Sequence, residues 1–297
     1  MKLKGFISIF VIMLIVTGIG FAITNLISFK KIYEERKITE EKINKELAEY
    51  IRVFPGELGV YIKDLRTGAE VMYNENKLFP SASLVKIPIM AAVYKAINDG
   101  ILTANDKIQL KREHKVRGCG IYKRQRSGTS YEVDDVVKHM IEESDNTATN
   151  MLTDRLGFSY LNWCFKQFGL RQTNLERAIM DLRARDYYGI ENYTTAREMG
   201  LLFEEIYYGR LINEDISKKM LTILSQQKIN DRIPKYLPKN YIIAHKTGLM
   251  KDACHDAGIV FTDKTDFIII ILTSDFSTYR SAKRVISNIA YSIVNSL

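Results

Sequence analysis

Segments with high β-strand propensity lie near the two ends of the chain, and most of the stretch between them has helical spacing. Two of these segments flank Arg66-Thr67-Gly68, a short turn that predicts a β-hairpin because glycine accepts a positive φ. The other three follow residue 240 and are separated by polar turns. Strands from opposite ends of one chain can form a single antiparallel sheet. The β-prone segments are residues 59–65, 69–73, 241–244, 258–261 and 267–273.

The middle of the chain, from residue 84 to about residue 209, carries apolar residues at helical spacing. A last helix, residues 281–296, has one apolar face that would cover the sheet. The sequence therefore predicts an α/β (α+β) fold, in which helices from the chain termini pack on a five-stranded antiparallel sheet and an all-helical lobe is inserted. A cleft is expected between the two lobes. The other predicted helices are residues 84–98, 133–143, 148–156, 160–168 and 196–208.

The amino terminus contains an uncharged run of residues, from Gly5 to Phe29. A helix of that length rises about 37 Å, which is enough to cross a bilayer with some tilt. A cleaved signal peptide usually has an apolar region of only about 7–15 residues, so an uncleaved signal anchor over residues 1–29 is favoured and a cleaved signal is the alternative. Lysines lie on both sides of the run, so charge alone does not orient it.

Residues 30–37 are predicted as a stalk, and residues 38–297 as one continuous domain, because no repeat or flexible linker follows. The net charge of +8 comes from dispersed Lys and Arg, which indicates a solvated basic surface rather than a nucleic-acid partner. The three cysteines are widely spaced and odd in number, so they do not indicate a disulfide framework, and the four histidines have no metal-ligand spacing. We expect no metal or cofactor. The sequence does not indicate whether the protein is a monomer or an oligomer.

Three short polar strings carry the chemistry of the chain. Ser83-Leu84-Val85-Lys86 opens a helix, Ser144-Asp145-Asn146 follows a helix end, and Lys246-Thr247-Gly248 ends a strand. Each string alone is weak, since the first is also read as a helix cap, the second as a capping loop and the third as a turn. Together, in this order and spacing, they form the combination that identifies one group of serine acyl-transfer enzymes.

The first string pairs a nucleophile with a base. One helical turn places Ser83 and Lys86 on the same face, so a neutral Lys86 amine can accept the hydroxyl proton. Burial and a second cation, for which Lys246 is the candidate, would lower the pKa of Lys86 enough for this role. Lys246 can also attract an anionic substrate.

The remaining positions would complete an acyl-transfer site. Ser144 can pass a proton to a leaving nitrogen, and Asn146 can hold Lys86 and a substrate carbonyl. The backbone N–H groups of Ser83 and Leu249 are candidates for an oxyanion hole. Thr247 and Gly248, which precede Leu249, are predicted to contact substrate.

From about Thr39 to Leu297 the chain resembles class A β-lactamases and related serine hydrolases of the penicillin-binding protein superfamily. The resemblance extends beyond the three strings to residues 59–68, 79–90, 118–121 and 144–148. It implies a two-lobed fold and a serine that attacks a β-lactam or peptide carbonyl to form an acyl-enzyme. It also implies catalysis outside the cytoplasm, which would orient the anchor with its amino terminus inside and make the protein a single-pass membrane protein.

The chain departs from this family in one loop. Class A enzymes carry a Glu-x-x-Leu-Asn string whose Glu and Asn hold the water that frees the acyl group, whereas this chain has Ile179-Met180-Asp181-Leu182-Arg183. Asp181 is the nearby carboxylate and is predicted to replace the missing base. A well-placed base accelerates a step by about 10²–10⁴-fold, so without one deacylation would be slow.

Four functions follow from these observations. The first is a membrane-anchored β-lactamase that acts through Ser83. The alternative is a penicillin-binding D,D-peptidase-like enzyme that acts on peptidoglycan stem peptides and releases β-lactams slowly. The third is a β-lactam sensor. It is disfavoured because only about four residues precede the predicted anchor, which leaves no cytoplasmic effector. An unrelated serine esterase or amidase is the fourth.

Overall fold

The computed structural model describes the backbone of residues 2–296 and the side chains of residue 21 and residues 24–296. The strands are β1 (Glu57–Asp64), β2 (Glu70–Tyr73), β3 (Phe79–Pro80), β4 (Lys107–Gln109), β5 (Ser130–Glu132), β6 (Tyr193–Thr194), β7 (Ile242–Met250), β8 (Ala253–Phe261) and β9 (Asp266–Ser274). The helices are α1 (Lys2–Val53), α2 (Lys86–Asn98), α3 (Val133–Glu142), α4 (Asn146–Leu156), α5 (Phe158–Gln167), α6 (Leu182–Tyr188), α7 (Ala196–Tyr207), α8 (Glu214–Ser225) and α9 (Tyr279–Ser296).

The main sheet has five strands in the order β2-β1-β9-β8-β7, and all neighbouring pairs are antiparallel. Strand β1 pairs with β9 over its whole length, from Glu57 opposite Ser274 to Asp64 opposite Phe267. This pairing joins the two ends of the domain, so the predicted five-stranded antiparallel sheet is confirmed. The short pairs β3–β6 and β4–β5 lie outside it.

Both faces of the sheet are buried, and alternate side chains enter two different apolar cores. On β1, Tyr61 packs into the core of the helical lobe, whereas its neighbours Val60 and Ile62 face the terminal helices. On β9, Ile268 and Ile270 face the helical lobe in the same way. Central strands covered on both sides read as continuous apolar runs, which is why β9 was recognisable from sequence.

The predicted helices of the lobe are confirmed to within a few residues, and two more are present. Helix α6 escaped notice because it buries none of its residues and so has no apolar stripe. Helix α8 does have a stripe, which includes Met220 and Leu224, but it lies beyond the stretch assigned as helical. The helix predicted to begin at residue 84 begins instead as a 3₁₀ turn, Ala82–Val85, before α2.

Strand β7 is longer than the predicted strand at residues 241–244. It continues through Lys246-Thr247-Gly248 to Met250, and Lys246 pairs with Ala257 while Gly248 pairs with His255. The third string is therefore inside a strand and not at its end. The apolar pattern did not predict this part of the strand because the residues of the string are polar. Lys246 and Thr247 are nevertheless buried.

Helix α1 runs from Lys2 to Val53 and joins the domain along its second half. Ile43 and Leu47 are buried against the sheet and α9, and Arg66 donates to Glu35 at 2.8 Å. Most of the predicted anchor, residues 1–29, lies outside the described side chains. Within the described part of the chain, no helix is sufficiently long and apolar to cross a membrane.

Candidate active site

Ser83 lies in the 3₁₀ turn between β3 and α2, and its neighbours hold this turn against the sheet. Ser81 N–H donates to the Asn192 carbonyl at 2.7 Å. The buried His255 ring donates from Nε2 to the Pro80 carbonyl at 2.8 Å. Ala82 has a φ of 46°, a conformation that non-glycine residues adopt rarely and that often marks a functional turn.

Gly248 is required for the close approach of this turn to β7. A Cβ atom at Gly248 would lie 3.3 Å from the Ala82 Cβ and 3.2 Å from His255 Cδ2. Its hydrogen therefore faces the nucleophile turn, whereas its neighbours Thr247 and Leu249 line the cleft. Gly248 thus has a packing contact with this turn, and its predicted contact with substrate stays a prediction.

Lys86 is fully buried at the start of α2 and points to the second string. Its Nζ donates to the Ser144 carbonyl at 2.7 Å, to Ser144 Oγ at 3.1 Å and to Asn146 Oδ1 at 2.8 Å. Burial lowers the pKa of Lys86 to about 7, while Cys119 and Asp145 act in the opposite direction. A substantial fraction of Lys86 is therefore neutral at neutral pH, as a general base requires.

Lys246 approaches the same hydroxyl from β7. Its Nζ donates to Ser144 Oγ at 3.0 Å and to the Thr247 carbonyl at 2.9 Å. Burial, followed by the charges of Lys86 and Arg232, holds the pKa of Lys246 well below its usual value. Ser144 thus bridges two buried amines, and it does so with a φ of 57° in the tight connection between α3 and α4.

Two glycines pack the loop at residues 118–120 against this connection. Asn146 Nδ2 donates to the Arg117 carbonyl at 3.1 Å, and a Cβ at Gly118 would lie only 2.5 Å from that nitrogen. A Cβ at Gly120 would overlap the Asp145 carboxylate. Asp145 is the N-cap of α4 and accepts from Ala148 N–H at 2.9 Å. The loop and the cap together fix the direction of Ser144 and Asn146.

These groups meet in a cleft of about 470 Å³ between the sheet and the helical lobe, as the sequence predicted. Ser83, Ser144, Asn146, Thr247 and Leu249 all line it. The arrangement brings the hydroxyl-bearing residues Ser83 and Ser144 to one cleft and holds the Lys86 amine against Ser144. Such a site is suited to attack on a carbonyl followed by protonation of a leaving nitrogen.

The comparisons with known proteins agree with this geometry. Residues 40–297 match the model of the beta-lactamase enzyme family. The chain belongs to this family. A beta-lactamase from Streptomyces lavendulae is 27% identical over 227 residues, which are 73% of each chain.

Solved structures of family members show the same fold. A beta-lactamase from Sphaerobacter thermophilus has a TM-score of 0.78 and 26% identity, over 87% of this chain and 96% of that one. A leucine-to-glutamate variant of PBP-A, described as an acyl-enzyme complex with penicillin G, has a TM-score of 0.78 and 26% identity, over 88% and 96% of the two chains.

The loop that departs from the family pattern does not bring Asp181 to the cleft. Asp181 is exposed, its Oδ1 caps α6 by accepting from Ala184 N–H at 3.0 Å, and it is not one of the residues that line the cleft. Its predicted role as the deacylating base is therefore not supported, because its carboxylate already serves a helix end.

Ile179 occupies the cleft wall instead. Asn150 holds its backbone through two hydrogen bonds, from Ile179 N–H to Oδ1 at 3.0 Å and from Nδ2 to the Ile179 carbonyl at 3.2 Å. Among the described residues that line the cleft, Asp231 is the one carboxylate. Its carboxylate pairs with Lys283 at 2.6 Å and with Arg232 at 3.2 Å, so it is not free to activate a water molecule in the cleft.

Sequence reasoning missed Arg232, which lines the cleft with only 1% of its surface exposed. Its Nε donates to Cys254 Sγ at 3.3 Å, and its charge contributes to the depressed pKa of Lys246. Arg232 adds a fixed positive charge to the β7 side of the cleft, where it can attract an anionic substrate group. No spacing or motif marks this arginine in the sequence, and its burial, which Arg177 shares, is visible only in the structure.

Proposed function

We propose that this protein is a serine hydrolase of β-lactams that forms an acyl-enzyme on Ser83. The observation that carries the proposal is the bridge of Ser144 Oγ between the buried amines of Lys86 and Lys246, on a cleft that Ser83 also lines. Through this bridge Lys86, which takes the proton of Ser83, can pass it to Ser144, and Ser144 can deliver it to the leaving nitrogen. If Ser83 served only as a helix cap exposed to solvent, neither buried amine would be needed.

The steps balance within these residues. Neutral Lys86 takes the proton of Ser83 Oγ as this oxygen forms a bond to the β-lactam carbonyl carbon. Backbone N–H groups of Ser83 and Leu249 stabilise the oxyanion. When the C–N bond breaks, the proton passes through Ser144 Oγ to the leaving nitrogen. Water then cleaves the ester on Ser83 and completes the hydrolysis.

The slow step of this reaction is deacylation. The cleft wall where family members place a water-activating glutamate carries Ile179, and the carboxylate of Asp181 caps a helix. Acylation does not need that base, whereas deacylation does. We therefore expect a rapid burst of product followed by slow turnover.

The named relatives support hydrolysis over the alternative predicted from the sequence. The curated relatives are named beta-lactamases, including those of Streptomyces lavendulae and Bacillus amyloliquefaciens. They do not favour the alternative, a penicillin-binding peptidase. That alternative is retained as a distinct outcome of the test below.

The proposal includes a location. The uncharged run from Gly5 to Phe29 supports an uncleaved anchor, and a catalytic domain on the extracytoplasmic side would meet β-lactams there. Protease added to intact cells should then remove the domain while the protein remains in the membrane fraction. Recovery of the protein in the soluble fraction would contradict this location.

The test of activity mixes the full-length protein with a slight molar excess of a chromogenic cephalosporin. Burst amplitude, steady-state rate and intact mass are recorded together. A burst of about one equivalent, followed by slow turnover and loss of the adduct, supports the hydrolase. A long-lived adduct together with cleavage of a stem peptide that ends in D-Ala-D-Ala would instead identify the peptidase alternative, and adduct formation on Ser83→Ala would overturn the mechanism.

A further inference from the structure

The catalytic cleft opens into a second groove, of about 600 Å³, on the wall opposite β7. Met180 and Leu182 line both the cleft and this groove, so the two spaces are continuous. Met180 has a φ of 66°, and the chain reverses there between Ile179 in the cleft wall and α6. A substrate held at Ser83 can therefore extend past Met180 without leaving the protein surface.

The groove is strongly basic. Four of the residues that line it are Lys115, Arg117, Lys123 and Arg124. They belong to a segment, residues 111–126, that contains seven Lys or Arg and one Glu. Their spacing looks dispersed in the sequence, but the loop folds so that these four side chains surround one space.

These four charges are not neutralised by carboxylates. Lys115 Nζ donates to the Gln125 carbonyl and Lys123 Nζ to the Gly118 carbonyl, both of which are uncharged acceptors. Within the described part of the chain, none of the four forms an ion pair, although nearby Lys111 pairs with Asp154 at 2.7 Å and Arg185 pairs with Asp186 at 2.6 Å. Like charges held together without counterions attract an anion to the space between them.

The position of the groove relates it to the reaction. On the β7 side of the cleft, Arg232 and Lys283 share the single carboxylate of Asp231, which leaves net positive charge there for the carboxylate of a β-lactam nucleus. The basic groove is lined by residues of the helical lobe and by none of β7. It is therefore placed to bind a part of the substrate that projects away from β7.

We propose that the basic groove binds a carboxylate on the arm of the substrate that projects away from β7, so that the enzyme selects substrates whose side arm is anionic. This inference rests on the proposed acylation of Ser83 and adds the charge class of the substrate. Arg117 and Arg124, which are exposed and form no ion pair within the described part of the chain, provide the contacts. Met180 and Leu182 provide an apolar floor for the rest of the arm.

The test uses three penicillins that share one nucleus and differ only at the side-arm carbon: benzylpenicillin, its α-carboxy derivative and its α-amino derivative. The second-order rate constant for acylation of the full-length protein is measured for each. We expect the carboxy compound to react about threefold to tenfold faster than the neutral one, and the amino compound to react more slowly, as for two exposed charge contacts. The preference should disappear at 1 M salt, where the Debye length is about 3 Å.

The matched variants separate the groove from net charge. The double variant Arg117→Gln, Arg124→Gln should bring the carboxy-to-amino ratio close to one, whereas Arg126→Gln, in the same loop but not lining the groove, should keep the wild-type ratio. Equal rates for all three penicillins in the wild type would overturn the inference while leaving the hydrolase proposal intact. An equal loss of preference in Arg126→Gln would also overturn it.

If none of the penicillins acylates Ser83, the proposed function fails and the groove is tested by binding alone. Tri-glutamate and tri-glutamine peptides are titrated calorimetrically against the wild type and the double variant. Binding of tri-glutamate that the double variant loses would support an anion-binding groove. Equal heats for the two peptides would overturn it.

Discussion

Lys86 Nζ and Lys246 Nζ, two buried amines from opposite sides of the cleft, both lie within hydrogen-bond distance of Ser144 Oγ, at 3.1 and 3.0 Å. Two full charges in so small a buried space would repel strongly, which disfavours the doubly protonated state. The pKa of Lys246 is lowered by burial and by the charge of Lys86, and burial lowers the pKa of Lys86 to about 7. Lys86 is therefore suited to accept a proton near neutral pH.

The acylation rate should follow the protonation of Lys86. Because the neutral amine acts as the base, the second-order rate constant for benzylpenicillin should fall about tenfold per pH unit below about 7 and level off above it. The rate is measured from pH 5 to pH 9, with circular dichroism at each pH to show that the protein remains folded. A flat profile in folded protein would remove Lys86 as the base.

Ser144→Gly should separate the catalytic hydroxyl from the local fold. Loss of the proton carrier should slow acylation by about 10²–10⁴-fold. Glycine accepts the φ of 57° at this position, so relief of strain of about 1 kcal/mol offsets only part of two lost hydrogen bonds of about 1 kcal/mol each. The free energy of unfolding in urea should fall by about 1 kcal/mol. Acylation at the wild-type rate would show that Ser144 does not carry the proton.

Ile179→Glu should accelerate deacylation. It places a carboxylate in the cleft wall, on a backbone that Asn150 already holds, where it can activate water. A general base at this position is worth about 10²–10⁴-fold in the rate at which the adduct disappears. Ile179→Gln, which has the same length without the charge, is the control. An equal gain in both variants would indicate water access rather than base catalysis.

Asp181→Asn should leave deacylation unchanged. Asn is also a good N-cap, so it can replace the acceptor that the Asp181 carboxylate provides to Ala184 N–H, and α6 should remain intact. The lifetime of the acyl adduct is measured by intact mass at intervals after a burst. A tenfold longer lifetime in this variant would restore Asp181 as the base.

His255 should make the protein less stable in mild acid. Burial lowers its pKa from 6.5 to about 4, so between these values the unfolded chain binds a proton that the folded protein does not. Stability is therefore fully present above about pH 6.5 and falls as pH decreases toward 4, by about 3 kcal/mol at 1.36 kcal/mol per unit. Urea unfolding of the wild type and His255→Gln at pH 4.5 and 7 checks this. An identical pH difference in the two proteins would contradict it.

The strands of the sheet that were predicted best are those with uninterrupted apolar runs. The segment at residues 267–273 lies within β9, because a strand buried on both faces needs apolar residues at every position. The end of β7 was missed because Lys246 and Thr247 are polar, and their burial depends on the residues that surround them in the cleft. Local propensity could not show that a catalytic string continues a strand.

The site divides in the same way. The nucleophile, its base and the proton carrier were predicted because the three strings have a known order and a local geometry that one helical turn or one tight connection provides. Asp181 was predicted as the base from its position in the loop alone, and its role stays a prediction that the cap it provides to α6 does not support. A side chain's direction is decided by the contacts it makes, and that of Asp181 turns to the end of α6.

The sequence by itself determined the sheet from both chain ends, the helical lobe and the groups that we propose for acyl transfer, since these depend on periodicity and on short-range spacing. Only the tertiary structure decided that Ile179 forms the cleft wall, that Arg232 is buried beside Lys246, and that four dispersed cations surround one groove. These facts depend on which distant segments pack together. That packing sets the direction, burial and electrostatic environment of each side chain, none of which is written in the local order of residues.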